Sequence, residues 1–376
     1  MRRSDPELPA RDVGRTTLWI AMRLGLNLGY WGGGTDATSV DLAVEADRLG
    51  YAVCWAAEAY GSDAATVLAW VGARTERIDL GSAVLQIPAR TPAMTAMTAA
   101  TLDGLSGGRF RLGLGVSGPQ VSEGWHGVRF SDPLGRTREY VEIVRLALSR
   151  QDLAYSGRHW QLPLPDGEGK AIRLTVRRVR ERIPVYLATV GPRNSRLAGE
   201  IADGWLGVFF SPEHAAAALE PLREGRRAAG HGVEPGSDPL AGFDLAPTVP
   251  LSVGDDLATA AEPIRRYAAL YLGGMGSRTR NFYNTLARRM GFEEAAERVQ
   301  DLFLGGNPRD AARAVPLEFI DATSLIGPIE RIADRMHAFA EAGVTTLSLA
   351  PYADSPQGRT GTLRAAVRTL ELAGLA

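Results

Sequence analysis

Residues 113–118 read Gly-Leu-Gly-Val-Ser-Gly, which matches the G-x-G-x-x-G pattern of dinucleotide-binding proteins. In that pattern the first glycine ends a strand and the third opens a helix whose amino terminus holds a pyrophosphate. Here residues 110–116 read as one strand, so two of the glycines fall inside it. After Gly118 the sequence predicts a long loop, because the next helical pattern starts only near Leu134. We therefore interpret the segment as a buried strand and loop, not as a Rossmann fingerprint.

Short apolar segments and amphipathic helices alternate on both sides of this strand, which is typical of a parallel α/β protein. Thr91 before Pro92 and Asp132 before Pro133 mark helix starts, since each pair places a capping side chain before a proline. The last predicted helix covers about residues 328–342. The predicted strands are 24–30, 52–57, 78–85, 110–116, 184–190, 204–209, 245–251 and 345–350.

Eight strands with intervening helices predict a (β/α)8 TIM barrel, with an open doubly wound sheet as the alternative. Insertions are expected after strand 4, at about residues 151–182 with a small hairpin, and after strand 7, at about 273–325 with a helix near 292–303. Long insertions in barrels often carry binding function. We expect residues 22–376 to form a single domain and residues 1–21 to be a loose extension.

Composition narrows the classes of protein. A net charge of −1 gives no indication of nucleic-acid binding, and no stretch approaches the roughly 20 apolar residues of a membrane span. The single cysteine, Cys54, lies in an apolar run and reads as a core residue. A chain with one cysteine forms no internal disulfide, which favours a reducing, cytoplasmic location.

In a TIM barrel the active site lies at the carboxyl ends of the strands. These positions are mostly aromatic, small or glycine, which suits a flat apolar cofactor better than a hydrolytic pair of ionisable groups. They are Asn27, Tyr30 and Trp31; Glu58, Ala59 and Tyr60; Ala83, Val84, Leu85 and Gln86; Ser117, Gly118, Pro119 and Gln120; Thr189, Val190, Gly191, Pro192 and Arg193; Phe209 and Phe210.

The loop at residues 191–195 is the best candidate for an anion site, because it leads into a helix and carries Arg193. Free N–H groups at a helix amino terminus bind anions. An ordinary turn with a solvated arginine is an equal alternative. The five histidines show no ligand-like spacing, so no metal site is expected. Neither a G-x-S-x-G elbow nor a phosphate-binding P-loop occurs.

Seven short blocks occur in order: WAAEAYGSD at 55–63, LGSAVLQIPARTP at 80–92, LSGGRF at 105–110 running into GLG at 113–115, SGPQ at 117–120, EGWHG at 123–127, GP at 191–192 and ADGW at 202–205. Together they resemble the luciferase-like monooxygenase superfamily, specifically its coenzyme F420-dependent oxidoreductases. The resemblance is strong over residues 22–210 and weak beyond.

The resemblance implies a barrel with the cofactor at its carboxyl-terminal mouth, a small-molecule substrate and a homodimer. It implies a non-prolyl cis peptide at Ala83–Val84 beneath the deazaflavin ring. It also implies a phosphate site at the loop of Thr189, Val190, Gly191 and Pro192, in agreement with the anion site above. The predicted cofactor-binding residues are Ala83, Val84, Leu85, Ser117, Gly118, Thr189, Val190, Gly191, Pro192 and Arg193. Glycines in residues 113–118 would let the backbone approach the cofactor closely.

One position departs from the family, since some members carry a histidine where this chain has Ala59. The proton donor therefore stays open among Glu58, Tyr60, Glu123 and His126. Glu58 is equally well read as a structural carboxylate paired with an arginine, and His126 as a residue that packs its loop. The candidates for substrate contacts are Trp31, Tyr60 and Trp125, which could instead be rim or core aromatics.

The main hypothesis is hydride transfer between the C5 position of reduced F420 and a small organic substrate. One alternative is a monooxygenase that uses reduced FMN and oxygen on the same fold. Another is a flavin- or deazaflavin-binding protein without catalysis, since a fold does not guarantee a function.

Overall fold

The computed structural model describes residues 22–29 and 37–376. The extension at residues 1–21 and two of the predicted strand-end aromatics, Tyr30 and Trp31, lie outside the described residues. The strands are β1 (Arg23–Asn27), β2 (Val53–Ala56), β3 (Asp79–Ser82), β4 (Leu85–Gln86), β5 (Phe110–Gly115), β6 (Tyr155–Ser156), β7 (Gln161–Leu162), β8 (Val185–Ala188), β9 (Gly204–Leu206), β10 (Asp244–Leu245), β11 (Thr248–Val253), β12 (Leu325–Gly327) and β13 (Thr346–Pro351).

The helices lie between these strands in the alternation that the sequence predicts. They are α1 (Ala37–Arg48), α2 (Ala64–Gly72), α3 (Pro92–Leu105), α4 (Pro119–Gly124), α5 (Pro133–Leu148), α6 (Pro192–Ile201), α7 (Ala215–Ala228), α8 (Leu257–Ala269), α9 (Phe282–Arg289), α10 (Glu293–Leu304), α11 (Pro308–Ala314), α12 (Leu317–Thr323), α13 (Ile329–Glu341) and α14 (Pro356–Leu372).

The parallel strands close into a barrel. From β1 the sheet runs through β2, β3, β5, β8 and β9 to β10 on one side, and through β13 to β11 on the other. Because β10 and β11 are consecutive segments of one stretch, this stretch joins the two ends of the sheet. The N–H of Ala246 donates to Trp205, and that of Ser348 donates to Pro247. All eight predicted strands, and the (β/α)8 barrel itself, are confirmed.

Both insertions lie where the sequence places them. After the fourth barrel strand, β6 and β7 form an antiparallel hairpin in which Tyr155 faces Leu162. After the seventh, α9, α10, α11 and α12 follow one another, and α10 is the helix predicted near residues 292–303. The short strand β12 then pairs with the end of β11.

Two helices differ from the sequence prediction. A helix, α4, begins directly after Gly118, where a loop was predicted. It has only six residues, too few for an apolar periodicity to be visible. Helix α14 follows the eighth barrel strand, so the helix predicted at residues 328–342, observed as α13, is not the last. The start of α14 carries the same signal as the predicted helix starts. The Ser355 side chain accepts a hydrogen bond from the Gly358 N–H, and Pro356 follows it directly.

The barrel interior is filled by a few large side chains surrounded by glycines. Trp55 is fully buried and packs edge-on against Tyr186, with ring centroids 5.2 Å apart. A Cβ at Gly81 would overlap the Trp55 ring, and a Cβ at Gly204 would overlap Tyr186. A larger residue therefore does not fit at these two positions, because close-packed interiors tolerate little added bulk.

The amino-terminal end of the barrel is closed by a buried ion pair. Arg111 lies 3.2 Å from Asp244, which also accepts hydrogen bonds from Tyr186 at 2.8 Å and from the hydroxyls of Thr345 and Thr346. Burial works to raise the pKa of Asp244, but nearby cations and these hydroxyls hold it below its usual value. The aspartate is therefore a charged structural group at this end of the barrel.

Cys54 on β2 is fully buried, and burial raises the pKa of its thiol to about 12. It is a core residue, as the sequence predicts. Over the described ranges, the structure contains no helix that is both long and apolar enough to cross a membrane. The cytoplasmic location stays a prediction.

We expect Gly81→Ala to lower the free energy of unfolding by about 3 kcal/mol, because its methyl group would overlap the Trp55 ring. Gly104→Ala is the matched control. It lies in α3 with nothing within 4 Å of the added Cβ, so we expect a gain of about 0.5–1 kcal/mol. Urea denaturation of both variants measures this. Equal midpoints for the two variants would contradict the volume argument.

Candidate active site

A β-bulge shapes the mouth of the barrel. Leu80 pairs with Phe110 and Leu85 pairs with Leu114, so five steps along β3 and β4 match four along β5. A parallel ladder with one extra residue leaves backbone groups unpaired. Two of them are satisfied by one side chain, since the Ser82 hydroxyl donates to the Gly113 carbonyl at 2.8 Å and accepts from its N–H at 2.9 Å.

The glycines of residues 113–118 serve this bulge. A Cβ at Gly113 would overlap the Ser82 carbonyl oxygen, and a Cβ at Gly115 would lie 2.6 Å from Val84. These two glycines are therefore required by the close approach of Ser82 and Val84, and Gly115 also lines the cavity described next. The expectation that they let the backbone approach a cofactor stays a prediction. Gly118 has open space around it and lines the cavity described next. The peptide bond between Ala83 and Val84 is cis, as the resemblance implies.

The carboxyl ends of the strands open into a cavity with two lobes that share Val84, Ala188 and Tyr283. The smaller lobe, about 320 Å³, lies between the loops that follow β2, β5 and β8. The larger lobe, about 510 Å³, lies over the ends of β1, β9 and β13. Its lining includes small side chains from the strand ends, namely Ala57, Ala83, Ala188 and Ala350.

Most of the predicted cofactor-binding residues line this cavity. Ala83 lines the larger lobe, and Leu85 is buried at 1% exposure, where it pairs with Leu114 and lines neither lobe. Pro192 and Arg193 begin α6 with exposed side chains that line neither lobe. The residues in the smaller lobe are Val84, Ser117, Gly118, Thr189, Val190 and Gly191.

The amino terminus of α6 adjoins the smaller lobe. Its N-cap, Gly191, provides no side chain to accept from the first N–H groups, and Asn194 in the first turn lines the lobe. The loop before it is held in place because Trp205 donates to the Thr189 carbonyl at 3.1 Å. Uncapped N–H groups at a helix start favour an anion. Arg280 also lines this lobe and has no ion-pair partner within the described part of the chain.

Glu58 is an acceptor for three donors. Its carboxylate accepts the N–H groups of Ala64 at 3.2 Å and Gln86 at 3.0 Å and pairs with Arg90, while the residue is only 8% exposed. Burial works to lower the pKa of Arg90, but Glu58 and Asp63 raise it. The carboxylate therefore holds the loop after β2 against β4 and the start of α3.

Gln86 extends this arrangement, although the sequence argument gave it no role. Its side-chain amide donates to the Ala59 carbonyl at 2.7 Å and accepts from the Ser117 hydroxyl at 2.8 Å. Three strand ends are thus tied together around the smaller lobe. The available signal was its position at a strand end, but its partners lie far away in the chain.

The other predicted catalytic and substrate residues are divided between cavity and surface. Tyr60 lines the smaller lobe with a side chain that is 57% exposed. Glu123 accepts the Phe130 N–H at 3.0 Å, and Trp125 is 66% exposed. Glu123, Trp125 and His126 line neither lobe, and Trp31 lies outside the described residues. Their predicted roles stay predictions.

The second insertion contributes to the cavity, as the sequence suggests. Met275, Phe282 and Tyr283 line the smaller lobe. Tyr271 packs between two other tyrosines, with ring centroids 4.7 Å from both Tyr267 and Tyr283. Within the described ranges, no three His, Cys, Asp or Glu residues are grouped so that they could hold a metal ion.

Comparison with known proteins agrees with this geometry. Residues 29–346 match the model of the luciferase-like monooxygenase family. A putative coenzyme F420-dependent oxidoreductase of Mycobacterium tuberculosis is 43% identical over 87% of this chain and 94% of its own length. The 5,10-methylenetetrahydromethanopterin reductase of Archaeoglobus fulgidus is 27% identical over 83% of this chain and 88% of its own.

A solved structure shares the fold. The coenzyme F420-dependent tetrahydromethanopterin reductase of Methanopyrus kandleri superposes with a TM-score of 0.76 at 24% identity, over 93% of this chain and 98% of its own. The described fold, the ordered sequence blocks and the family match agree, and the chain belongs to the luciferase-like monooxygenase family.

Proposed function

We propose that this protein is a coenzyme F420-dependent oxidoreductase that reduces a small organic substrate. The observation that carries the proposal is the smaller lobe, which combines the apolar side chains of Val84 and Ala188 with the uncapped start of α6. The relative at 43% identity, named as a putative F420-dependent oxidoreductase, supports the choice of cofactor.

The residues present fit such a cofactor. Val84 and Ala188, shared by the two lobes, give a ring space to lie above small apolar side chains. The uncapped start of α6 at Gly191 offers N–H groups to a phosphate, and Arg280 adds a positive charge in the same lobe. A cofactor with a planar ring and an anionic chain would satisfy both parts of the lobe.

When bound, reduced F420 supplies a hydride from its C5 position. The chain itself must hold the ring and the substrate, exclude water and supply a proton. We assign proton donation to the Tyr60 hydroxyl, which lines the smaller lobe. Glu58 acts as a positioning residue, because its carboxylate already accepts from Arg90 and from two backbone N–H groups.

Titration of the purified protein with F420 and with FMN tests the cofactor. We expect F420 to bind with micromolar or tighter affinity and FMN to bind at least about 100-fold more weakly, a difference of about 2.8 kcal/mol. Fluorescence quenching and calorimetry measure both. Product formation that needs reduced FMN and oxygen would overturn the proposal in favour of a monooxygenase. F420 binding without reduction of any acceptor would favour a binding protein.

Tyr60→Phe and Glu58→Gln separate the two assigned roles. With the acceptor that the wild type reduces fastest in a panel of enones, imines and nitroarenes, we expect Tyr60→Phe to lower kcat about 100-fold or more, with F420 affinity unchanged. Glu58→Gln should lower the free energy of unfolding by about 2 kcal/mol, because it removes the buried charge that pairs with Arg90 and leaves Arg90 with the more exposed Asp63.

The pH profile of kcat completes this test. It should keep its shape in Glu58→Gln, because the donor is elsewhere. A wild-type rate in Tyr60→Phe would remove that hydroxyl as donor. The loss of one limb of the pH profile in Glu58→Gln would move the proton to the carboxylate.

We also propose that the protein is a homodimer formed through the outer face of α2 and α3. Four large apolar side chains are exposed there, Trp70 at 59%, Met94 and Met97 at 50% each, and Leu105 at 78%. Exposed apolar patches of this kind commonly mark protein interfaces. The apolar face supports a second copy as the occupant because the family resemblance implies a dimer.

Sedimentation equilibrium tests this surface. We expect the wild type to sediment as a dimer and Trp70→Glu/Met97→Glu as a folded monomer, since two charges would be buried in the interface. Ile172→Glu is the control, because Ile172 is 69% exposed outside this face. A monomeric wild type, or an unchanged dimer in the double variant, would refute the proposed interface.

A further inference from the structure

The larger lobe is lined by arginine side chains. Its charged lining residues, among those that the structure describes, are Arg266 and Arg359, and no carboxylate lines it. Arg359 donates to the Thr38 hydroxyl at 2.8 Å. An arginine side chain that lines a cavity favours the binding of an anion there.

Arg266 differs from its neighbour in having no side-chain partner among the described residues. Arg265, one residue earlier on α8, pairs with Glu262 at 3.2 Å and donates to the Val315 carbonyl. Arg266 is exposed at the cavity and makes no hydrogen bond or ion pair with any residue of the described ranges. Its five N–H donors are therefore available to a ligand.

Tyrosine side chains that follow Arg266 along the helix give the lobe an aromatic wall. Helix α8 continues into a π-helical turn, Leu270–Gly274, and such turns occur often at functional sites. Tyr267 and Tyr271 both line the lobe and pack together at 4.7 Å. Tyr352 contributes a further ring from the end of β13. Arg266 and these three rings thus line the same lobe, and the rings suit a flat or apolar group.

We propose that Arg266 binds an anionic group of the substrate, a carboxylate or a phosphate monoester, whose apolar or aromatic body lies against Tyr267 and Tyr271. Guanidinium binds both anions through paired hydrogen bonds. The inference rests on the proposed function in one respect, namely that the cofactor occupies the smaller lobe. The start of α6 and Arg280 meet the cofactor's anion there, so Arg266 is left for the substrate.

Matched pairs of small ligands test the proposal without knowledge of the natural substrate. Phenylacetate, phenylacetamide and phenyl phosphate are titrated by calorimetry into the cofactor-free protein and into the F420-loaded protein. We expect the wild type to bind at least one of the two anions tenfold or more tightly than the amide, a difference of about 1.4 kcal/mol. Comparison of the two anions distinguishes a carboxylate from a phosphate site.

The variants assign the preference to one side chain. In Arg266→Ala we expect the affinity for the preferred anion to fall to within about twofold of that for the amide, with F420 affinity unchanged. Arg266→Lys should keep part of the preference, because it keeps the charge. Arg309→Ala is the control, since Arg309 is exposed on α11 and lines neither lobe, and it should behave as the wild type.

Three results would overturn the proposal. The first is equal affinity of the wild type for both anions and the amide. The second is an anion preference that survives in Arg266→Ala. The third is a loss of F420 binding in that variant, which would assign the arginine to the cofactor. Failure of the wild type to bind F420 is a different result, because it refutes the proposed function. In that case the titration of the cofactor-free protein still shows whether it binds the anions more tightly than the amide.

Discussion

The contact between the Ser82 hydroxyl and the backbone of Gly113 holds the mouth of the barrel in its shape. One hydroxyl satisfies both the N–H and the carbonyl of a residue that faces the bulge. A buried backbone group without a partner costs about 1–3 kcal/mol, so the bulge depends on this side chain. The bulge in turn brings Val84 to the junction of the two lobes and lets Gln86 reach Ser117. The geometry of the smaller lobe therefore follows from a polar contact inside the sheet.

Volume inside the barrel explains why a wide cavity lies above this contact. Trp55 and Tyr186 fill the interior, and glycines on neighbouring strands, including Gly81 and Gly204, make room for them. Several strand-end residues at the mouth are alanines, including Ala57, Ala83, Ala188 and Ala350, so less of the space there is filled by strand side chains. Large side chains at these positions would fill the mouth, as layers of inward-pointing side chains fill the interior of TIM barrels.

Local signals in the sequence predicted the strands, the capped helix starts and the hairpin, because these depend on a few neighbouring residues. Thr91, Asp132 and the apolar runs carry their information within one turn or strand. Such local signals could not predict the contacts within the site. The Glu58 carboxylate meets Arg90 and Gln86 through the fold, and nothing in the spacing of those residues distinguishes a structural carboxylate from a catalytic one. The contacts of Gly113 with Ser82 and of Gly115 with Val84 could not be predicted either, because a bulge in another strand leaves no signal near these glycines in the sequence.

Charge is separated along the barrel axis, although the chain as a whole carries a net charge of −1. The amino-terminal end holds Asp244 and Asp79 around Arg111, where carboxylates and cations neutralise one another. At the mouth, the one carboxylate of the smaller lobe, Glu58, is already paired with Arg90 within the described structure. Arg280 and Arg266, one in each lobe, form no ion pair with any residue that the structure describes. An arrangement of this kind favours two anionic ligands side by side, because each lobe offsets the repulsion that the other ligand would bring.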